Sequence, residues 1–303
     1  KKTAAEGAEF WFTQTPERFL PAGTACASCK GLKFRKENDI LDVWVDSGAS
    51  WLGVLAPEGQ YPAQLYLEGS DQHRGWFQSS LVLSAAIEGK APYQEVLTHG
   101  FVLDEQGRAM HKSAGNVVAP QDVIAKWGAD VLRLWVALSD YSDDVRLSPN
   151  LMAGPAETYR KIRNTLRYLL GNTCDFDPEK HAVLPKDMPE ADRYLLHRLQ
   201  ALIKEVRDAY DKYHFRGATK AISDFCILDL SSFYLDAAKD RLYTYPADSL
   251  ERRSAQTVLH ETLLALLKML APVLSFTADE AWQSLRAQLA STGSARTLPE
   301  NAL

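Results

Sequence analysis

The sequence predicts an α/β unit followed by an all-α helix bundle, and three observations carry that reading. Short apolar runs punctuated by Gly, Pro and Asp fill the first half, whereas apolar residues at helical spacing fill the second. The charge balance changes at the same place. Residues 1–150 hold 14 Lys and Arg against 19 Asp and Glu, and residues 151–303 hold 20 of each, so the whole net charge of −5 sits in the first half. Between them, Ser148-Pro149 is a helix start signal, an N-cap Ser before Pro at the first helical position.

Taken in order, Ile40 to Val45, Gln64 to Leu67, Glu95 to Leu97 and Phe101 to Leu103 read as strands, with a helix from Trp76 to Ile87 and another opened by Pro120. In the second half Tyr159, Ile162, Leu166 and Leu169 form one apolar stripe, and Leu195, Leu199, Leu202 and Val206 a second. Ile222, Phe225 and Leu228 form a third, and Leu259, Leu263, Leu266 and Leu270 a fourth, stopped by Pro272. Thr277 is the expected cap of a last helix carrying Ala281, Trp282 and Leu285, and residues 291–303 read as a flexible tail.

Composition excludes several classes. With 46% hydrophobic and 24% charged residues in 303, the chain can bury a core and is not disordered. No apolar run approaches the roughly 18 to 20 residues of a membrane span, the longest being broken by Lys268. Lys1-Lys2-Thr3 leads into Ala-Glu-Gly rather than an apolar stretch, so no secretory signal and a cytoplasmic location are expected. Four cysteines are too few for a disulfide scaffold and point to a reducing compartment. Isolated Cys174 and Cys226 read as buried thiols of the helical half. An acidic total rules out a polycationic nucleic-acid coat, though not a local basic stripe.

Two segments carry chemistry. In Tyr66-Leu-Glu-Gly-Ser-Asp-Gln-His-Arg-Gly-Trp76 a strand ends in a polar turn and a helix begins, which is where open α/β sheets place ligands. Glu68 and Asp71 offer carboxylates suited to an ammonium group or ribose hydroxyls, and Gly69 lets the backbone come close. In His99-Gly100 through Gly107-Arg-Ala-Met-His-Lys-Ser-Ala-Gly-Asn116, a strand feeds a loop that offers Lys112 and Ser113. An ammonium there compensates charge that grows in adenylyl or phosphoryl transfer. Either segment alone is also an ordinary solvated turn.

Together they closely resemble the second half of the nucleotide-binding domain of class I aminoacyl-tRNA synthetases, specifically the isoleucine type. Asp39 to Gly48 resembles the strand before the adenylate site, Tyr66 to Trp76 the isoleucine-type adenylate motif, and Gly107 to Asn116 the Lys-Met-Ser-Lys-Ser signature loop. Tyr159-Arg-Lys-Ile-Arg-Asn-Thr165 and Phe276-Thr-Ala-Asp-Glu-Ala-Trp282 are similar to the anticodon-binding bundle. The resemblance divides the chain into a remnant of the connecting, zinc-ribbon region (1–38), a partial Rossmann-like catalytic domain with the signature loop (39–147), an anticodon-binding helical domain (148–290) and a tail (291–303).

The resemblance implies isoleucine–tRNA ligation, with ATP, isoleucine and tRNA(Ile) as partners, magnesium accompanying the ATP, no membrane, and a monomer. By position, Glu68, Gly69, Asp71 and Gln72 would hold the isoleucyl-adenylate, and Trp44 and Trp76 would wall the isoleucine pocket or serve as core aromatics. His99 and Gly100 would approach the nucleotide, and Lys112 and Ser113 would act on its phosphates. Two positions depart from the pattern: Ala109 and His111 stand where the signature loop commonly has its first Lys and Ser. The His-Ile-Gly-His signature and the editing insertion occur nowhere in these residues and are expected upstream of Lys1, so a fragment inactive by itself is expected. Cys26-Ala-Ser-Cys29 has metal-knuckle spacing but supplies two of the four ligands zinc wants, half of a site completed in the intact enzyme. Arg160, Lys161, Arg163 and Arg167 stand against only Glu157, and Arg160, Arg163 and Arg167 are the candidates for tRNA phosphates. Tyr210, Tyr213, Phe233, Tyr234, Tyr243 and Tyr245 are available to hold unstacked bases. Open alternatives are a stand-alone tRNA-binding module and a valine- or leucine-type sister enzyme.

Overall fold

The computed structural model describes residues 7, 9–37, 39–148 and 150–292. By its contacts the chain divides into two compact units, Lys1–Leu97 and Thr98–Leu303.

In the first unit a strand, β1 (Ala63–Gly69), runs through a tight 3-10 turn (Ser70–Arg74) into a helix over Trp76–Glu88 and on to β2 (Tyr93–His99). The two strands pair in one sheet. Phe77, Ser80 and Ser84, spaced 3 and 4 apart, give the helix its buried face, and Gly89 in the left-handed region (φ 70°) ends it by donating its N–H to the Ala85 carbonyl. Among the described residues of this unit, Phe10, Trp51, Tyr66 and Phe77 are the large side chains that are buried.

One expected strand is not a strand. Ile40 to Val45 alternates like a β run, but residues Val43–Gly48 form a helix, α1, and the helix over Trp76–Glu88 is therefore α2. Asp42 caps α1 by accepting from the Trp44 N–H at 2.8 Å. A Cβ on Gly48 would come within 3.0 Å of Ser79, so glycine here allows α1 to lie close on α2. Without a neighbouring strand to pair with, the apolar run has nothing to hold it extended, and Ile40 is 82% exposed.

In the second unit β3 (Val102–Leu103) pairs in parallel with β4 (Val145–Arg146), Val102 facing Val145 and Leu103 facing Arg146. Between them lie the loop Gly107–Asn116, α3 (Pro120–Trp127) and α4 (Ala129–Leu138). The bundle follows as α5 (Ala153–Asn172), α6 (Glu190–Tyr210), α7 (Phe215–Asp224), a π-wound stretch (Phe225–Tyr234), α8 (Leu250–Leu270) and α9 (Ser275–Ser291). The stripes of α5, α6 and α8 are buried as expected, in one core that also takes Leu134 and Ala137 of α4. This is why residues 98–147 cluster with the bundle.

Four local expectations are corrected. The first bundle helix starts at Ala153, not at Ser148-Pro149; Pro149 lies outside the described residues. Leu147 and Met152, on either side, are buried in a small cluster with Val123 and Val131. Leu228 is 60% exposed, because the π winding carries the buried face to Cys226, Leu230 and Tyr234 instead. Thr277 lies inside α9 rather than capping it: the Asp130 carboxylate of α4 accepts from the Thr277 N–H at 2.8 Å. Cys174 is exposed, whereas Cys226 is buried and its thiol is pushed up to about 12 by loss of solvent. Of the expected tail, Ser291 closes α9, Thr292 caps it, and residues 293–303 lie outside the described residues.

Candidate functional site

The turn between β1 and α2 brings the first group of expected residues together. Glu68 and Asp71 are exposed at the carboxyl end of β1, and Gly69 is buried behind them. Gln72 is the organiser. Its Oε1 accepts from the Trp76 N–H at 2.8 Å, at the first turn of α2, while its Nε2 donates to Asp71 Oδ2 at 3.1 Å. A Cβ on Gly75 would meet Gln72 Oε1 at 2.7 Å and the Trp44 ring at 3.0 Å, so only glycine admits both. The Trp76 indole N–H donates to the Ser47 carbonyl at 2.8 Å, and its ring stacks on Tyr66 at a centroid distance of 4.2 Å. Trp76 is thereby fixed in place. Trp44 is 48% exposed and offers an open apolar face beside it.

The residues expected at the nucleotide and its phosphates belong to the second unit. His99 shares a 2.8 Å hydrogen bond between its Nδ1 and the Gly100 carbonyl. Gly100 has a packing reason to be glycine: a Cβ would meet the Asp143 carbonyl at 2.4 Å and the Asp144 nitrogen at 2.6 Å. Beyond β3, Leu103 bridges Ala109 across the turn Asp104 to Gly107, and Lys112–Ala114 form a 3-10 turn ended by Gly115 in the left-handed region. Lys112 and Ser113 are exposed. Among the described residues the Lys112 ammonium makes no ion pair, whereas the neighbouring Arg108 is held by Asp104, Nε to Oδ2 at 2.9 Å. Asp104 is buried, and the Asn116 amide, followed by the Arg108 N–H, holds its carboxyl at about 2. Asp104 was not among the residues singled out from sequence. Its signal, an acidic residue opening an Asp-x-x-Gly turn, is common to most hairpins.

Cys26 and Cys29 lie on a knuckle-like turn. The Cys26 N–H donates to the Gly31 carbonyl and the Lys30 N–H to the Cys26 carbonyl, both at 2.9 Å, with Lys30 in the left-handed region (φ 59°). The Cys29 and Ser28 backbone N–H groups and the Cys29 thiol lower the Cys26 thiol below its usual range, the condition for a metal-binding thiolate. Among the described residues no three His, Cys, Asp or Glu side chains gather as a metal cage.

On α5, Ile162, Thr165, Leu166 and Leu169 face the core, and the basic residues split between its flanks. Arg160 is exposed but doubly bonded to Glu157, at 2.7 to 3.0 Å. Arg163 and Arg167 line a groove with Glu280 and Ser284 of α9. On the other flank a groove of about 420 Å³ is lined by Lys161, Asn164, Tyr168, Ser231, Ser232 and Lys239. Of the expected aromatics, Tyr234 is fully buried, Tyr210 and Tyr213 are half-buried, and Phe233, Tyr243 and Tyr245 are exposed. No helix among the described residues is long and apolar enough to cross a membrane.

Residues 1–148 match the family of class I tRNA synthetases (I, L, M and V), and residues 192–302 match the anticodon-binding domain of tRNA ligase. Similar curated proteins include the isoleucine–tRNA ligase of Caldanaerobacter subterraneus subsp. tengcongensis, 53% identical over 93% of this chain and 30% of its own length. Those of Symbiobacterium thermophilum and Moorella thermoacetica are each 55% identical, over 93% and 92% of this chain. The chain spans about 30% of the length of these relatives. Among solved structures, the ternary complex of Agrobacterium radiobacter K84 agnB2 LeuRS with tRNA and LeuAMS matches with a TM-score of 0.70 at 23% identity, over 86% of this chain and 33% of that one. Mycobacterium tuberculosis methionyl-tRNA synthetase bound to methionyl-adenylate matches with a TM-score of 0.60 at 20% identity, over 80% of this chain and 49% of that one. At these identities the structures speak for the fold alone.

Proposed function

Because this chain belongs to the class I tRNA synthetases, we propose that it forms part of an isoleucine–tRNA ligase. The observation that carries the proposal is identity of 53 to 55% with isoleucine–tRNA ligases over more than nine-tenths of the chain. The reaction has two steps. The isoleucine carboxylate attacks the α-phosphate of ATP, forming isoleucyl-adenylate and releasing pyrophosphate; the terminal ribose hydroxyl of tRNA(Ile) then attacks the activated carbonyl and AMP leaves.

In this reading Glu68, Gly69, Asp71 and Gln72 hold the aminoacyl and ribose parts of the adenylate. The exposed carboxylates of Glu68 and Asp71 accept from its ammonium and hydroxyl groups, and the anchored Gln72 fixes Asp71. Trp76 and Trp44 wall the isoleucine side chain. A pocket of that kind discriminates isoleucine from valine by only about 150-fold, a value measured for this class of enzyme. His99 and Gly100 approach the nucleotide. Lys112, its ammonium without an ion-pair partner among the described residues, neutralises charge on the phosphates as pyrophosphate departs, and Ser113 donates to them. Ala109 and His111 leave Lys112 as the main cation of that loop, since Arg108 is committed to Asp104. Magnesium, entering with ATP, would supply charge neutralisation on its phosphates. Cys26 and Cys29 fit one half of a zinc knuckle, completed by ligands outside this sequence. Arg163 and Arg167 meet tRNA phosphates, with Arg160 beside them.

Isoleucine-dependent ATP–pyrophosphate exchange by the longer enzyme containing this chain tests the proposal. The expected result is exchange with isoleucine well above valine or leucine, reduced about 100-fold by Lys112→Ala. The 303-residue chain alone is expected to show no exchange and weak, salt-sensitive tRNA binding. Exchange led by valine or leucine would overturn it, and robust exchange by this chain alone would overturn the expectation that the fragment is inactive by itself.

A further inference from the structure

Among the described residues the Lys112 and Ser113 side chains make no hydrogen bond or ion pair, so their position is set by the backbone around them. Besides its own 3-10 bonds and the Leu103–Ala109 bridge, that backbone is held by one side-chain amide. Asn116 Oδ1 accepts from the His111 N–H at 2.9 Å, and Asn116 Nδ2 donates to the Ala109 carbonyl at 3.0 Å and to Asp104 Oδ2 at 2.9 Å. The two backbone partners flank Met110, immediately before Lys112. A carboxylate accepts and never donates, so Asp104 dictates which way the Asn116 amide points, and the same orientation serves all three bonds. Asp104 is itself immobilised: buried, it also accepts from the Gln106 N–H at 3.0 Å, the Arg108 N–H at 2.8 Å and Arg108 Nε at 2.9 Å. Its backbone N–H donates to the Arg108 carbonyl at 2.9 Å. The turn after β3, the root of the loop and its far end at Gly115-Asn116 are thus joined through two side chains.

We propose that Asp104 and Asn116 are positioning residues, a clasp that pre-sets the Lys112-Ser113 turn for the ATP phosphates. This rests on Lys112 being the phosphate-binding ammonium of the proposed reaction. A loop ordered before the nucleotide arrives does not have to be ordered at the expense of binding, and an ammonium displaced by even an ångström loses much of its effect on the transition state.

Two readouts test the clasp separately from the function. In the 303-residue chain, trypsin cleavage after the exposed Lys112 is expected to accelerate about tenfold or more in Asn116→Ala, with the thermal midpoint nearly unchanged. Asn116→Asp keeps the shape but removes both amide donors and sets a second carboxylate against Asp104, so it should cleave as fast as Asn116→Ala. The exchanged pair Asp104→Asn with Asn116→Asp restores a donor facing an acceptor and should recover part of the protection. In the longer enzyme, Asn116→Asp should raise the ATP KM or lower kcat about tenfold or more while the isoleucine KM stays unchanged, with partial recovery in the exchanged pair. If Asn116→Asp matches the wild type in cleavage and in kinetics, Asn116 only fills space and the proposal falls. If cleavage responds as expected but the wild-type enzyme shows no isoleucine-dependent exchange, the functional reading falls and takes the purpose of the clasp with it. Unchanged cleavage in an enzyme that does exchange overturns the clasp alone.

Discussion

Asp192 shows how much one buried residue can hold. It is fully buried on α6 and accepts from Tyr234 Oη at 2.8 Å, from both Arg241 guanidinium nitrogens at 2.8 and 2.9 Å, and from Ser254 Oγ at 2.5 Å. Four segments of the bundle meet on that carboxylate: α6, the π-wound stretch, the short turn Lys239–Tyr243 and α8. A buried pair of this kind adds little over a well-packed apolar substitute, yet breaking it strands a charge. Asp192→Ala should therefore destabilise the chain by about 3–5 kcal/mol in denaturant unfolding, and Asp192→Ala combined with Arg241→Met by clearly less. Equal losses in the single and double variants would show that the ion pair is not what Asp192 contributes. Within its own helix Asp192 is a first-turn acid; its partners lie 42 to 62 positions away, beyond the reach of any local pattern.

Among the elements, those with a local start and stop were legible. Pro120 opens α3, Gly89 ends α2, and the leucine stripe of α8 runs to Leu270 just before Pro272. Elements whose form depends on neighbours were not. The π-wound stretch shows this most clearly: helical periodicity assigned Leu228 to the core, but i→i+5 winding turns it to solvent and buries Leu230. Leu230→Ala should cost about 2–5 kcal/mol and Leu228→Ala within about 0.5 kcal/mol, measured by denaturant midpoint. A larger loss at Leu228 would mean that the stretch is ordinary α-helix. The junction of α8 and α9 is similar. Arg133 of α4 donates to the Pro272 and Val273 carbonyls at 2.8 and 2.7 Å, while Asp130, one turn earlier, accepts from the Thr277 N–H. One helix thus satisfies the carbonyl end of α8 and the amide end of α9, some 140 residues further on.

At the scale of the chain, the two units differ in what they bury. Thr98–Leu303 encloses a continuous core that draws on α4 through α9. Lys1–Leu97 buries Phe10, Trp51, Tyr66 and Phe77 but leaves Ile40, Leu41, Val43, Val54 and Val82 largely exposed. Residues 98–292 produced alone should unfold cooperatively in denaturant with native-like helix content, whereas residues 1–97 alone should bind a hydrophobic dye and unfold without a sharp transition. A cooperative, dye-free 1–97 would show that its few buried aromatics suffice.

The polar turn Glu68–Trp76, the loop Gly107–Asn116 and the stripes of α5, α6 and α8 could be read from residue order, because each is written within about ten to twenty neighbouring positions by periodicity or by turn chemistry. Folding settled the rest. It made a helix of Val43–Gly48, moved the start of α5 to Ala153, turned Leu228 outward and capped α9 from α4. Each of these outcomes turns on whether a group finds its partner, a strand, a core, a carboxylate or an amide, at a place that exists only once distant parts of the chain have come together.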